Sequence, residues 1–188
     1  MRSFVAIPIE PTGQVLTVLS ELGLWRKQGL KRVEPENMHL TLKFLGEIDP
    51  GRVPEITEAL GTAVAGHGPF RIKFRGMGAF PNENYIKVVW VGIDCIELEP
   101  LAGDVIESLT GHGFDRSKFS PHLTMARVKS PKPRERILAM LGDNRDRDFG
   151  WQDVDSIFLM KSTLTPSGPI YEEIASIELS GSASAVDE

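Results

Sequence analysis

Cysteine is almost missing from this chain of 188 residues: Cys95 stands alone, so no internal disulfide can form and packing must hold the fold together. Long apolar runs are missing as well. No stretch of about 18 apolar residues occurs, which excludes a membrane-spanning helix. Met1 to Glu10 alternates rather than building a charged start and an apolar centre, so no secretion signal is read, and a reducing cytoplasm is the expected location. Phosphate-cradling glycine motifs are absent, because Gly76-Met77-Gly78 lacks the helix and lysine that should follow it. Positive charge is in deficit. The 21 Lys and Arg against 26 Asp and Glu leave −5, which argues against a protein that coats long nucleic acid through non-specific charge.

What is present is an ordinary globular composition, 41% hydrophobic and 25% charged. A chain of this length buries roughly 70% of the surface its unfolded form exposes, enough to fold without a structural metal. The charge is unevenly spread. Arg116, Lys118, Arg127, Lys129, Lys132, Arg134 and Arg136 stand against one acid, Glu135; a second basic run holds Arg26, Lys27, Lys31 and Arg32, and Asp143 to Asp155 is acidic.

Periodicity predicts a strand over Ser3–Ile9. A helix capped by Thr12 follows, with Val15, Leu16, Leu19 and Leu22 inward, then a strand over Met38–Leu45. A helix over Pro50–Val64 and a hairpin of Phe70–Phe80 with Tyr85–Ile93, turning at Pro81-Asn82-Glu83-Asn84, come next. The order then repeats: helix Leu98–Leu109, strand Phe119–Val128, helix Pro133–Leu141, strand Val154–Met160, and a last strand Ile170–Leu179. A shift of 83 residues lays His39-Leu40-Thr41-Leu42 on His122-Leu123-Thr124-Met125 and Pro50 on Pro133, which reads as a structural duplication. Residues 1–180 are expected to form one domain of two pseudo-symmetric lobes, and 181–188 a flexible tail.

Two of the four histidines open the tripeptide His-Leu-Thr, a coincidence expected by chance roughly once in ten thousand shuffles of this composition. In a strand, period two sends His39 and Thr41 to one face and Leu40 and Leu42 to the other; His122 and Thr124 separate from Leu123 and Met125 in the same way. Two such strands can present two imidazoles and two hydroxyls to one cleft. An imidazole titrating near pH 6.5 serves as a base in one copy and an acid in the other, while threonine hydroxyls donate to phosphate oxygens where charge builds up. That is phosphoester chemistry without a metal.

A zinc site is the rival for the histidine pair, but His67, His112 and Cys95 lie at no ligand spacing from it. His67 and His112 each sit between glycines, as loop residues at helix ends do. Phe44, equivalent to Arg127 in the duplication, is read as a core residue, with stacking on a base as the alternative.

The duplicated tetrapeptide resembles the H-x-T-x signature of the 2H phosphoesterase superfamily. Four further stretches narrow the resemblance: Met1-Arg2-Ser3-Phe4-Val5-Ala6-Ile7, Val89-Trp90-Val91-Gly92, Pro121 through Arg127, and Gly168-Pro169-Ile170-Tyr171. Together they resemble the bacterial and archaeal RNA 2',3'-cyclic phosphodiesterases, also called 2'-5' RNA ligases, over nearly the whole chain.

The resemblance implies an α+β fold, bilobal and duplicated, with two antiparallel sheets and outer helices flanking a central cleft. It implies hydrolysis of 2',3'-cyclic phosphate to 2'-phosphomonoesters; the expected substrates are RNA ends or nucleoside 2',3'-cyclic phosphates, and a monomer that needs no cofactor, metal or membrane is expected. The roles it implies are His39 as proton donor, His122 as proton acceptor, and Thr41, Thr124 and Arg127 on the phosphate. Strict alternation would turn Arg127 away from His122, so a bulge or the strand end is expected between them. Reversal of the same chemistry as 2'-5' ligation, a non-catalytic RNA-end or nucleotide-binding module, and a phosphodiesterase for small cyclic nucleotides remain alternatives.

Overall fold

The computed structural model describes residues 1–181, so the tail expected over 181–188 lies outside the described residues except for Gly181. Strand β1 (Arg2–Pro8) leads into helix α1 (Gly13–Gly23), whose first turn is closed by Thr12 Oγ1 accepting from the Val15 N–H at 3.2 Å. Strand β2 (Leu30–Arg32) and a single 3-10 turn at Pro35–Asn37 precede β3 (His39–Glu47). Helix α2 (Val53–Val64) and the hairpin β4 (Phe70–Asn82) and β5 (Tyr85–Asp94) follow. The second half comprises α3 (Leu98–Gly111), β6 (His122–Val128), α4 (Arg134–Asp143), β7 (Asp148–Val154), β8 (Ser156–Thr165) and β9 (Gly168–Glu178).

All strand pairs are antiparallel, in a four-stranded sheet of order β3-β1-β8-β9 and a five-stranded sheet of order β2-β6-β5-β4-β7. The α+β reading holds, and the 83-residue shift runs through the sheets: β3-β1-β8 corresponds to β6-β5-β4. Val5, Ile7, Leu40 and Leu42 of one sheet and Val89, Val91, Leu123 and Met125 of the other are all buried in a shared apolar core. The opposite face of β1 carries a smaller cluster of Phe4, Ala6 and Met160, with Tyr171 packed on it. Among the described residues no helix is long and apolar enough to cross a membrane.

Several elements differ from the periodicity. Leu16 is exposed and Val18 takes its place in the core, because the α1 stripe runs Val15, Val18, Leu19, Leu22. The strands β2 and β7 are not foreseen by it: β2 is three residues long, and in β7 only Phe149 and Val154 are buried among polar residues. Short or polar edge strands carry little of the alternation by which strands are read. Strand β6 begins at His122 rather than Phe119, one residue after Pro121, which cannot donate to a ladder.

Candidate active site

The two His-x-Thr strands carry the same irregularity. Between β1 and β3, Val5 pairs with Lys43 and Ala6 with Thr41, which leaves Leu42 unpaired; between β5 and β6, Val89 pairs with Ala126 and Trp90 with Thr124, which leaves Met125 unpaired. Each bulge adds one residue and reverses the alternation beyond it. Leu42-Lys43 and Met125-Ala126 are therefore buried pairs, and Arg127 returns to the face of His122 and Thr124, as the expected bulge requires.

The same reversal corrects the reading of Phe44. It is not a core residue: it is 67% exposed, on the face of His39 and Thr41, with its ring 6.2 Å from that of Phe4. Sequence equivalence to Arg127 is the usable signal, since a bulge that turns Arg127 outward turns Phe44 outward too.

Each imidazole is pinned the same way. His39 Nδ1 lies 2.8 Å from the Asn37 carbonyl, and His122 Nδ1 lies 2.7 Å from the Ser120 carbonyl. A carbonyl only accepts, so Nδ1 carries the proton in both and Nε2 is left to exchange one. Aromatic rings hold the imidazole planes: Phe4 at 4.9 Å and Tyr171, edge-on at 5.0 Å, against His39, and Phe80, edge-on at 4.9 Å, against His122. Phe80 in turn rests on Trp90, 5.3 Å away, which lies over Gly78 where no side chain would fit. Periodicity does not mark Phe4, Tyr171, Phe80 or Trp90 as site residues, although three of them fall within stretches that carry the family resemblance.

The lobes also hold each other's histidine segments. The chain entering β3 pairs with β6 through β2, and Val33 N–H donates to the Met125 carbonyl at 2.8 Å. The chain entering β6 is tied to β3 by Lys43, only 4% exposed, whose Nζ donates to the Asp115 carbonyl.

Electrostatics brings Arg127 to the first motif. Burial holds the His39 imidazole below its ordinary range, the Asn37 carbonyl opposes this, and the Arg127 guanidinium lowers it further. Burial raises the Tyr171 phenol, against the pull of Arg127 and Arg2. One cation from β6 thus acts on two residues of the other sheet.

Elsewhere, His67 pairs with Asp104 at 2.7 Å and His112 Nδ1 lies 2.8 Å from the Ser108 carbonyl, both beside helix ends. Burial, then the Glu97 carboxylate, pushes the Cys95 thiol up to about 12, so it stays a thiol. Among the described residues no three His, Cys, Asp or Glu side chains gather as a metal-ligand group.

Two bulged strands of duplicated origin, each bearing a tautomer-fixed histidine and an outward threonine, define a phosphoesterase of the two-histidine class. Residues 5–90 match the family model described as LigT like Phosphoesterase. Over 179 residues the chain is 38% identical to an RNA 2',3'-cyclic phosphodiesterase of Methanocaldococcus jannaschii, covering 93% of this chain and 98% of that protein. A protein of the same name from Archaeoglobus fulgidus is 40% identical over 182 residues, 95% of this chain and all of that protein. A crystal structure of a Thermus thermophilus protein superposes with a TM-score of 0.77 at 29% identity, covering 96% of this chain and 99% of that one. The chain belongs to the LigT-like phosphoesterase family.

Proposed function

We propose that this protein is an RNA 2',3'-cyclic phosphodiesterase that opens cyclic phosphate ends to 2'-phosphomonoesters. The observation that carries the reading is the pair of Nδ1-pinned imidazoles, His39 and His122, on two bulged strands that also turn Arg127 toward the first of them.

His122 Nε2 takes a proton from water as its oxygen attacks phosphorus, and His39 Nε2 gives one to the departing 3' oxygen. The P–O3' bond breaks, the P–OH bond forms, and the histidines end with their protonation states exchanged. Thr41 and Thr124 donate to the non-bridging oxygens, and the Arg127 guanidinium holds one edge of the phosphate. Burial, with Arg127, disfavours the charged His39 imidazole; a phosphate anion bound beside it favours that form again, and the imidazole takes the Nε2 proton it donates from solvent.

Phe44 and Arg127 occupy equivalent places in the duplication, so a ring faces the cleft in one lobe and a cation in the other. That asymmetry orients a nucleotide, its base on the aromatic side and its phosphate on the cationic side. Residues 1–180 are taken as one domain and the enzyme as a monomer, because the shared core and both motifs come from one chain.

The test is incubation of a cyclic-ended oligoribonucleotide with the protein in EDTA, with product identified by chromatography against both phosphomonoester standards. The 2'-phosphate is the expected product at a rate equal to that without EDTA. A 3'-phosphate, no turnover, or activity restored only by added zinc or manganese contradicts the proposal.

A further inference from the structure

The two basic runs of the sequence, about a hundred residues apart, meet in the fold. The strand β2 exists only as an edge partner of β6: Leu30 faces Val128, Lys31 faces Arg127 and Arg32 faces Ala126. Directly paired residues of antiparallel strands carry their side chains to the same face, so Lys31 stands beside Arg127 on the face of His122 and Thr124. The ladder continues outward through the Lys129 N–H, which donates to the Gly29 carbonyl at 2.8 Å. A Cβ at Gly29, whose backbone φ is 89°, would overlap the Ser130 side chain, so the glycine lets the chain after the single turn Arg26–Gln28 lie close against Ser130.

The cations of these runs divide by what they already hold. Arg32 donates to Glu34 at 3.2 Å and to the Leu19 carbonyl, Arg116 pairs with Glu107, and Arg134 donates to the Glu83 carbonyl. Among the described residues, Lys27, Lys31, Lys129 and Lys132 pair with no carboxylate, and all four are exposed. An uncompensated positive strip on a chain of net charge −5 leads from Arg127 to the sheet edge.

We infer that Lys31, Lys129, Lys27 and Lys132 form a track for the backbone phosphates of a single RNA strand, lying 5' of the cyclic end seated in the cleft. The inference rests on the cyclic phosphodiesterase reading and adds to it that the preferred substrate is an oligonucleotide rather than a nucleoside cyclic phosphate.

The experiment compares wild type with the fourfold variant K27A/K31A/K129A/K132A in two arms. Turnover is measured on a nucleoside 2',3'-cyclic phosphate and on a cyclic-ended ten-nucleotide RNA, across a range of salt. Binding is measured by fluorescence anisotropy with a 5'-labelled ten-nucleotide RNA ending in a 2'-phosphate. In wild type the oligonucleotide has the lower KM. In the variant it loses about tenfold of that advantage at low salt, and the slope of log affinity against log salt falls by about 3, four single-strand contacts at roughly 0.7 each.

Kinetics on the mononucleotide stay within about twofold, since none of the four residues belongs to the proposed chemistry. Unchanged oligonucleotide binding and salt slope in the variant overturn the track, as does a wild type with no preference for the longer substrate, or equal competition by blunt double-stranded RNA. If neither substrate turns over while binding remains salt-dependent and is lost in the variant, the phosphodiesterase reading fails and the track stands.

Discussion

The two motif strands share a bulge, an Nδ1-pinned histidine and an outward threonine, and they part company in what surrounds each imidazole. His39 packs against two rings, Phe4 and Tyr171, which also meet each other, and feels the Arg127 cation; His122 meets one ring, Phe80. Past the bulge, one strand offers Phe44 and the other Arg127, and a buried Lys43 stands where the second strand has the buried Ala126. In the proposed mechanism the duplicated strands supply two matched proton carriers, and the differing surroundings supply direction. A symmetric site would take the proposed cyclic phosphate either way round; here one strand exposes an aromatic ring and the other a cation.

The largest expected effect removes the shared part. His39→Ala and His122→Ala each lower kcat by on the order of a hundredfold or more, and the double variant falls little further, because each histidine is half of one acid-base pair. Steady-state kinetics of the three variants checks this, and near-normal turnover in either single variant would end the two-histidine account. Thr41→Ala and Thr124→Ala lose less, since each removes one of several donors.

Gly78→Ala sharpens the His122 side. A Cβ there would overlap the Trp90 ring, so Trp90 and the Phe80 it supports must shift from His122. We expect about 1–3 kcal/mol of lost stability from the overpacking, with a larger loss in kcat than in substrate affinity. Thermal unfolding and kinetics together read it. Phe44→Ala tests the aromatic side, with about tenfold weaker binding of a nucleotide product, at the low end of stacking energies, and little change for inorganic phosphate.

The smallest effect is a pH shift. As the acid, His39 must be protonated, so kcat/KM falls as pH rises through its lowered pKa. Arg127→Ala removes a cation that disfavours the imidazolium, although burial is the larger cause, so the alkaline limb moves modestly to higher pH while product affinity drops. A limb that stays in place or moves down would mean that another group sets it.

Much of this site was legible in the sequence because its logic is periodic. Alternation around His39, Thr41, His122 and Thr124 named the outward residues, and the 83-residue repeat tied them together. The bulge could be expected at Arg127 only because a functional role demanded that the side chain face the cleft. No such demand was made of Phe44, so the identical bulge went unread there. The strands β2 and β7 escaped because pairing, not side-chain pattern, creates them: Lys31 becomes a neighbour of Arg127 only once Leu30–Arg32 docks on the edge of β6. The rings around the imidazoles come from three different strands, β1, β4 and β9, a convergence that no local pattern reports.

The division of labour between the two histidines is tested most directly by a leaving group that needs no acid. A nucleoside 2',3'-cyclic phosphorothiolate with sulfur bridging at the 3' position expels a stable thiolate, so protonation by His39 no longer limits the reaction. His39→Ala should turn this substrate over close to the wild-type rate, whereas His122→Ala should stay about a hundredfold slow, because water still has to lose its proton. Equal impairment of the two variants, or rescue of His122→Ala instead, would contradict the assignment of His39 as acid and His122 as base.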